Sequence, residues 1–404
     1  MIYLLHSYLQ TIIYNMKKIT TFLLTSLVIQ SIGAQSFIQA YKNRADMVTQ
    51  ANITSNLQEF GNLGIKTTGS QANNNTLTWI KNKYTSYGYT ASQIVESSFT
   101  YGSASSKNLI ITKTGTLYPN KYVIICGHFD TVSGPGVNDN GSGTSIILEA
   151  ARILKDVPTE YSIKFIHFSG EEQGLVGSSH YVNNVVYQGG VRKLDIKLVF
   201  NLDQVGGVKG NNNNTVYCDE DQGGVSTNNA ASAAVTQQLR NCTALYSPLQ
   251  TAVDPAEATD YIPFERKGEV ITGFFEKIRS TYPHSSKDTF ANVDPVYVYN
   301  IGKATVGALQ HFATASVASA NKQAPTNPLE DVKIYPNPAN DILHVELPSP
   351  TTNFSFEMTN LVGRSLLKTN NETKINVSTL QKGMYIGILK VGDQTLVKNI
   401  LIDR

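Results

Sequence analysis

Five short stretches carry side chains able to hold a cation or move a proton. The first is Gly127-His128-Phe129-Asp130, directly after the apolar run Lys121–Cys126. In extended chain, residues two apart face one side, so His128 and Asp130 can turn into one site, with Asp130 taking the second ring N–H of a metal-bound imidazole. Alone, such a pair reads more simply as a surface histidine beside an acid. The second, Val137-Asn138-Asp139-Asn140-Gly141-Ser142-Gly143, reads either as a turn capped by Asp139 or as a loop offering a carboxylate that bridges two cations. The third, Ser169-Gly170-Glu171-Glu172-Gln173-Gly174, sets two acids side by side after the apolar run Ile163–Phe168. Adjacent carboxylates repel and are costly near a buried strand end unless cations are close; one can bind metal while the other handles protons. The fourth is Asn201-Leu202-Asp203-Gln204, whose acid follows Ile196–Phe200 and otherwise serves as a cap. The fifth, Tyr282-Pro283-His284-Ser285-Ser286-Lys287-Asp288-Thr289, supplies a second histidine in a loop.

The set carries more than its members. His128, Asp139, Glu172, Asp203 and His284 are the mixed imidazole and carboxylate ligands that suit Zn²⁺, with Co²⁺ or Mn²⁺ as substitutes. Two ions need about this many ligands, with positions left for water and substrate.

The elements that must position them are an alternation of strands and helices from about Ser36 to Ala320. Lys121–Cys126, Ile163–Phe168, Ile196–Leu202 and Val270–Phe275 read as buried strands of a mostly parallel sheet. Between the first two, Ser142–Leu154 places Ile146, Ile147, Ala150, Ile153 and Leu154 at helical spacing. The fold class is therefore α/β, a mostly parallel central sheet flanked by helices. In such sheets ligands sit at the carboxyl ends of the strands, where four of the five stretches fall. Beyond the linker at 321–329, which contains Ala324-Pro325-Thr326-Asn327-Pro328, six short strand-like runs separated by Pro, Gly and Asn read as a small all-β sandwich over residues 330–404.

The 404 residues suit one catalytic domain, 35–320, plus this smaller one. With 41% hydrophobic and 16% charged residues the chain is globular, and a net charge of +2 points to neither nucleic acid nor an anionic membrane as partner. Three cysteines fit no metal motif: Cys126 reads as a buried thiol, and Cys218 and Cys242 are free to pair in an oxidising compartment. Met16-Lys17-Lys18, an apolar stretch Ile19–Ile32 and a small-residue end at Ala34 read as a secretory signal over 1–34, with Met16 as the true start. The expected mature protein is a soluble monomer outside the cytoplasm.

These motifs resemble those of the zinc aminopeptidases related to the secreted bacterial leucyl aminopeptidases, a family that also holds glutamate carboxypeptidase, glutaminyl cyclase and the transferrin receptor. The resemblance spans about residues 50–315. It implies that His128, Asp139 and Asp203 hold one zinc, and that Asp139, Glu172 and His284 hold the other. Asp139 would bridge, Glu171 would be the general base acting on a water shared by the ions, and Asp130 would orient the histidine. Gly64–Ser70 resembles the family's early substrate-side loop. Thr259-Asp260-Tyr261-Ile262-Pro263-Phe264 resembles its Ser-Asp-His-x-x-Phe segment with Tyr in place of His. Some members carry a tyrosine before that segment that steadies the oxyanion; Asp254–Ala258 has none, which leaves Tyr261 as the substitute. The implied activity is hydrolysis of N-terminal peptide bonds. A carboxypeptidase would keep the same ligands, a glutaminyl cyclase would use one zinc, and a receptor-like module would have lost ligands. The tail, with Ile334-Tyr335-Pro336-Asn337-Pro338, Lys382-Gly383-Met384-Tyr385 and Lys398–Ile402, resembles the C-terminal sorting domain of type IX (Por) secretion. That resemblance implies the export machinery as partner and passage across both membranes.

Overall fold

The computed structural model describes residues 35–317, 332–347, 353–360, 364–391 and 394–403; the stretch read as a signal sequence, 1–34, and the one read as a linker, 321–329, lie outside them. The chain divides into two compact units, Met1–Ser319 and Ala320–Arg404. No helix among the described residues is long and apolar enough to cross a membrane.

Among the described residues the first unit opens with helices α1 (Gln39–Ala45), α2 (Gln50–Asn62) and α3 (Gln71–Ser86). Strands β1 (Ile94–Tyr101), β2 (Ala104–Lys113) and β3 (Tyr118–His128) lead to α4 (Gly141–Leu154) and β4 (Tyr161–Phe168). Next come α5 (Val176–Tyr181), the short pair β5 (Tyr187–Gln188) and β6 (Val191–Arg192), then β7 (Asp195–Leu202), β8 (Thr215–Glu220) and α6 (Ser226–Tyr246). Strand β9 (Gln250–Pro255), α7 (Ile262–Glu265), β10 (Ile271–Glu276) and α8 (Pro295–Phe312) complete it. The main sheet has eight strands in the order β1-β2-β4-β3-β7-β10-β8-β9. Its centre, β4-β3-β7-β10, is parallel. The joins β1-β2, β2-β4 and β10-β8 are antiparallel, and β8-β9 is parallel again. The sheet is thus mixed: the strands that the apolar runs mark form its central parallel block, and the pair β8-β9 is parallel outside that block.

Alternation along those strands feeds two cores. Val123 and Ile125 of β3, Ile163 and Phe165 of β4 and Phe200 of β7 join the helices' Ile53, Leu57, Ile146, Ile147, Val298 and Leu309 on one face. Ile124, Cys126, Ile166 and Phe168 point the other way, onto Tyr181, Val182, Tyr261 and Phe264. With both faces covered, the carboxyl ends of β3, β4 and β7 are where a ligand of such a sheet is expected. Cys126, Cys218 and Cys242 are all buried free thiols, so Cys218 and Cys242 do not pair here.

The second unit carries an antiparallel three-stranded sheet, β11 (Lys333–Tyr335), β12 (Ile342–Glu346) and β15 (Lys374–Asn376). A four-stranded antiparallel sheet holds β14 (Ser365–Asn370), β13 (Phe354–Thr359), β16 (Gly383–Val391) and β17 (Gln394–Ile402) in that order. Leu343, Val345, Phe356, Met358, Ile375, Leu389 and Ile400 form its own core.

Candidate metal centre

All five ligand candidates converge. His128 ends β3, and its Nε2 lies 3.1 Å from Asp139 Oδ1 and 3.4 Å from Asp203 Oδ2. His284 places its Nε2 3.2 Å from the other oxygen of Asp139, Oδ2, and 2.9 Å from Glu172 Oε2. Asp139 therefore turns one oxygen to each histidine, and the donors sort into two half-sites that share it. Glu171 Oε2 is 4.0 Å from His128 Nε2, beside the first half-site. His128, Asp139 and Asp203 are buried, whereas the His284 side chain is 60% exposed on its loop, so the cluster opens to solvent on that side. His284 also holds a left-handed backbone conformation (φ 55°), the kind of local strain that functional sites retain.

The charge balance explains why this donor set fits cations. Burial disfavours a charged His128, yet Asp203 and Glu171, with hydrogen bonds to Asp139 and Asp203, push its pKa well above the ordinary value. Asp139 is held well below the carboxylate range against its burial by the two histidines it contacts. Burial drives Glu171 up to about 10, with His128 opposing it and Asp203, Asp260 and Asp130 adding to it. Burial likewise takes Glu172 to about 8. Acids this crowded keep protons that a ligand or a base must lose; divalent cations among them reverse that balance.

The comparisons with known proteins follow the same lines. Residues 108–309 match peptidase family M28, a span that holds all five ligand candidates and Glu171. The chain belongs to peptidase family M28. Residues 333–403 match the secretion system C-terminal sorting domain. Aminopeptidase YwaD of Bacillus subtilis is 30% identical over 50% of this chain and 44% of its own length. Leupeptin-inactivating enzyme 1 of Streptomyces exfoliatus is 28% identical over 63% of this chain and 55% of its own. The chain thus spans about half the length of the curated relatives it matches. Among solved structures, the Legionella pneumophila LapA aminopeptidase superposes with a TM-score of 0.57 at 20% identity, covering 69% of this chain and 77% of that one. A glutaminyl cyclase of Bacteroides thetaiotaomicron gives 0.54 at 14% identity, covering 65% and 97%. These likenesses show that the fold is shared.

Around the M28 donors, a set of supports keeps the loops in place. His128 Nδ1 is 3.0 Å from the carbonyl oxygen of Asp130 but 3.7 Å from its carboxylate. Since a carbonyl only accepts, Nδ1 carries a proton, which leaves Nε2 as the ring nitrogen that a cation in the cluster would take. The orienting group is thus the backbone of Asp130. Its carboxylate instead accepts the N–H groups of Glu171 and Glu172, both at 3.2 Å, and the Thr68 hydroxyl at 3.3 Å, which aims the paired glutamates and anchors the Gly64–Ser70 loop. Thr259 donates its hydroxyl to Asp203 Oδ2. Asp288 accepts the N–H of Asn138 at 2.7 Å and of Asp139 at 3.0 Å, clamping Asp139 in place. Its place four residues after His284 was the one sequence signal for this role.

Tyr261 is placed differently from its sequence expectation as an oxyanion group. It is fully buried, its hydroxyl donates to Asp219 Oδ2 at 2.9 Å, and it accepts the N–H of Glu257. Both capacities of the hydroxyl are engaged inside the protein, so Tyr261 braces the β8 end and is not offered to substrate.

Proposed function

We propose that this protein is a secreted, zinc-dependent aminopeptidase with two metal sites. His128, Asp139 and Asp203 would hold one ion, and Asp139, Glu172 and His284 the other. The single observation that carries the reading is the placement of the two Asp139 oxygens, 3.1 Å from one histidine and 3.2 Å from the other. When bound, the zinc ions supply Lewis-acid polarisation of the scissile carbonyl and of a water molecule. Glu171, half-buried beside His128 and aimed by Asp130, takes the proton of the attacking water and returns it to the leaving amine. Asp130 fixes the tautomer of His128 through its carbonyl. Substrates are unblocked N-termini of peptides and proteins, a reading supported by family membership and by the aminopeptidases among the relatives. A one-zinc cyclase leaves the second half-site without a purpose, which favours the peptidase. The sorting domain over residues 333–403 supports export by the type IX route.

The test is a reporter assay on the full chain. We expect hydrolysis of aminoacyl reporters with a free amine and little action on their N-acetylated forms. In Glu171→Gln turnover should fall about 10²–10⁴-fold with metal content retained, because Gln keeps the shape and cannot accept the proton. Equal rates on free and acetylated substrates would point to an endopeptidase or carboxypeptidase, and a near-normal Glu171→Gln enzyme would place the base elsewhere.

A further inference from the structure

Glu276 ends β10 without exposed surface and stands outside the donor set described above. Its carboxylate accepts Asn138 Nδ2 at 3.0 Å on each oxygen. Oε1 also accepts Gln204 Nε2 at 2.8 Å and Ser280 N at 2.8 Å, and Oε2 accepts Gly207 N at 2.7 Å. The Glu276 N–H in turn donates to Gln204 O at 2.8 Å. These partners lie on three different segments. Asn138 precedes Asp139, Gln204 follows Asp203, and Ser280 opens the loop that leads to His284. One buried side chain thus gathers the segments bearing three of the five ligand candidates, which are distant in sequence and drawn from both half-sites.

The donors are all neutral N–H groups. A carboxylate buried among neutral partners is a costly choice for packing alone and is retained where all its hydrogen bonds are made. An amide cannot replace it: each oxygen takes one backbone N–H, from Ser280 or Gly207, so either rotamer of a glutamine would set its NH₂ against a donor that cannot turn away.

We propose that Glu276 is a positioning residue that sets the spacing of the two half-sites through Asn138 and Gln204 without touching ion or substrate; this rests on the dinuclear reading above. Groups that support metal ligands in this way typically change metal affinity by about 10–100-fold when removed.

The measurement is zinc titration of the metal-stripped full chain, with the absorption spectrum of its cobalt(II) form as a report on ligand geometry. We expect Glu276→Gln to melt cooperatively, to bind zinc about 10–100-fold more weakly and to show altered cobalt bands. Glu269→Gln is the control. Glu269 is also buried, precedes the opposite end of β10 and pairs with Arg192 at 2.6 Å. It should lower the melting temperature and leave zinc affinity and cobalt spectrum as in the wild type. Wild-type affinity and spectrum in Glu276→Gln, or an equal loss in Glu269→Gln, overturns the proposal while the dinuclear reading stands. A wild-type chain that binds fewer than two ions overturns that reading itself, and the proposal with it. If Glu276→Gln fails to melt cooperatively, Gln204→Ala, which spares the carboxylate and its backbone donors, takes its place: weakened zinc binding supports the proposal and unchanged binding overturns it.

Discussion

A histidine that stays neutral in the folded protein makes stability depend on acid, and His167 in β4 is one. Its burial is complete, its Nε2 meets the Tyr84 hydroxyl at 2.9 Å, and desolvation takes its pKa down to about 3. The unfolded chain accepts that proton near pH 6.5, so below this the unfolded state binds more protons than the native one. The contribution is whole above about pH 6.5 and is lost as the pH falls towards about 3. Burial of His311, with a pKa of about 4, adds in the same direction. We expect the urea midpoint to drop between pH 7 and pH 4.5, and to drop less in His167→Gln; an equal pH dependence in the two would assign the effect to other groups. At this scale the proposed metal donors were legible because acids and histidines after apolar runs are costly unless something binds them. Tyr261 was not, because only its burial and its bonds to Asp219 and Glu257 show that its hydroxyl is already engaged. Glu276 gave no signal at all: a lone acid at a strand end acquires meaning only from amides more than 60 residues away.

Strand β3, strand β7 and helix α4 meet where the loop bearing Asp139 closes, and the closeness has a sequence cause. A Cβ on Gly143, in the first turn of α4, would stand 2.3 Å from the carbonyl oxygen of Leu202 at the end of β7. The glycine lets the helix start press on the strand, and Asn140 caps that start by accepting the Gly143 N–H at 3.0 Å. Gly143→Ala should push α4 off β7, costing roughly 1–3 kcal/mol, the usual range for overpacking, and moving Asp139 away from Asp203. Denaturant unfolding and zinc affinity check the two parts; a variant with wild-type values of both would show that the contact can relax. The central strands and α4 were readable because their apolar residues recur at clear spacings. Strands β1, β2, β8 and β9 were not: runs such as Thr215–Glu220 and Gln250–Pro255 carry few apolar residues, and their pairing is settled by the strand beside them. That is why a sheet read as mostly parallel is antiparallel at three of its joins.

The whole chain separates chemistry from address. Every proposed ligand lies in the unit Met1–Ser319, and the second unit builds a core of its own. A chain ending near residue 319 should fold and keep its peptidase activity when purified, and in the native host it should no longer cross the outer membrane. An inactive though folded truncation, or one exported normally, would contradict the sorting role. The claim on which the rest depends is the pair of half-sites sharing Asp139. Its most direct measurement is the zinc content of the full chain after dialysis against trace zinc, by elemental analysis. The account predicts about two ions per chain, with peptidase activity lost on chelation and restored by zinc; a reproducible content of one or none would contradict it.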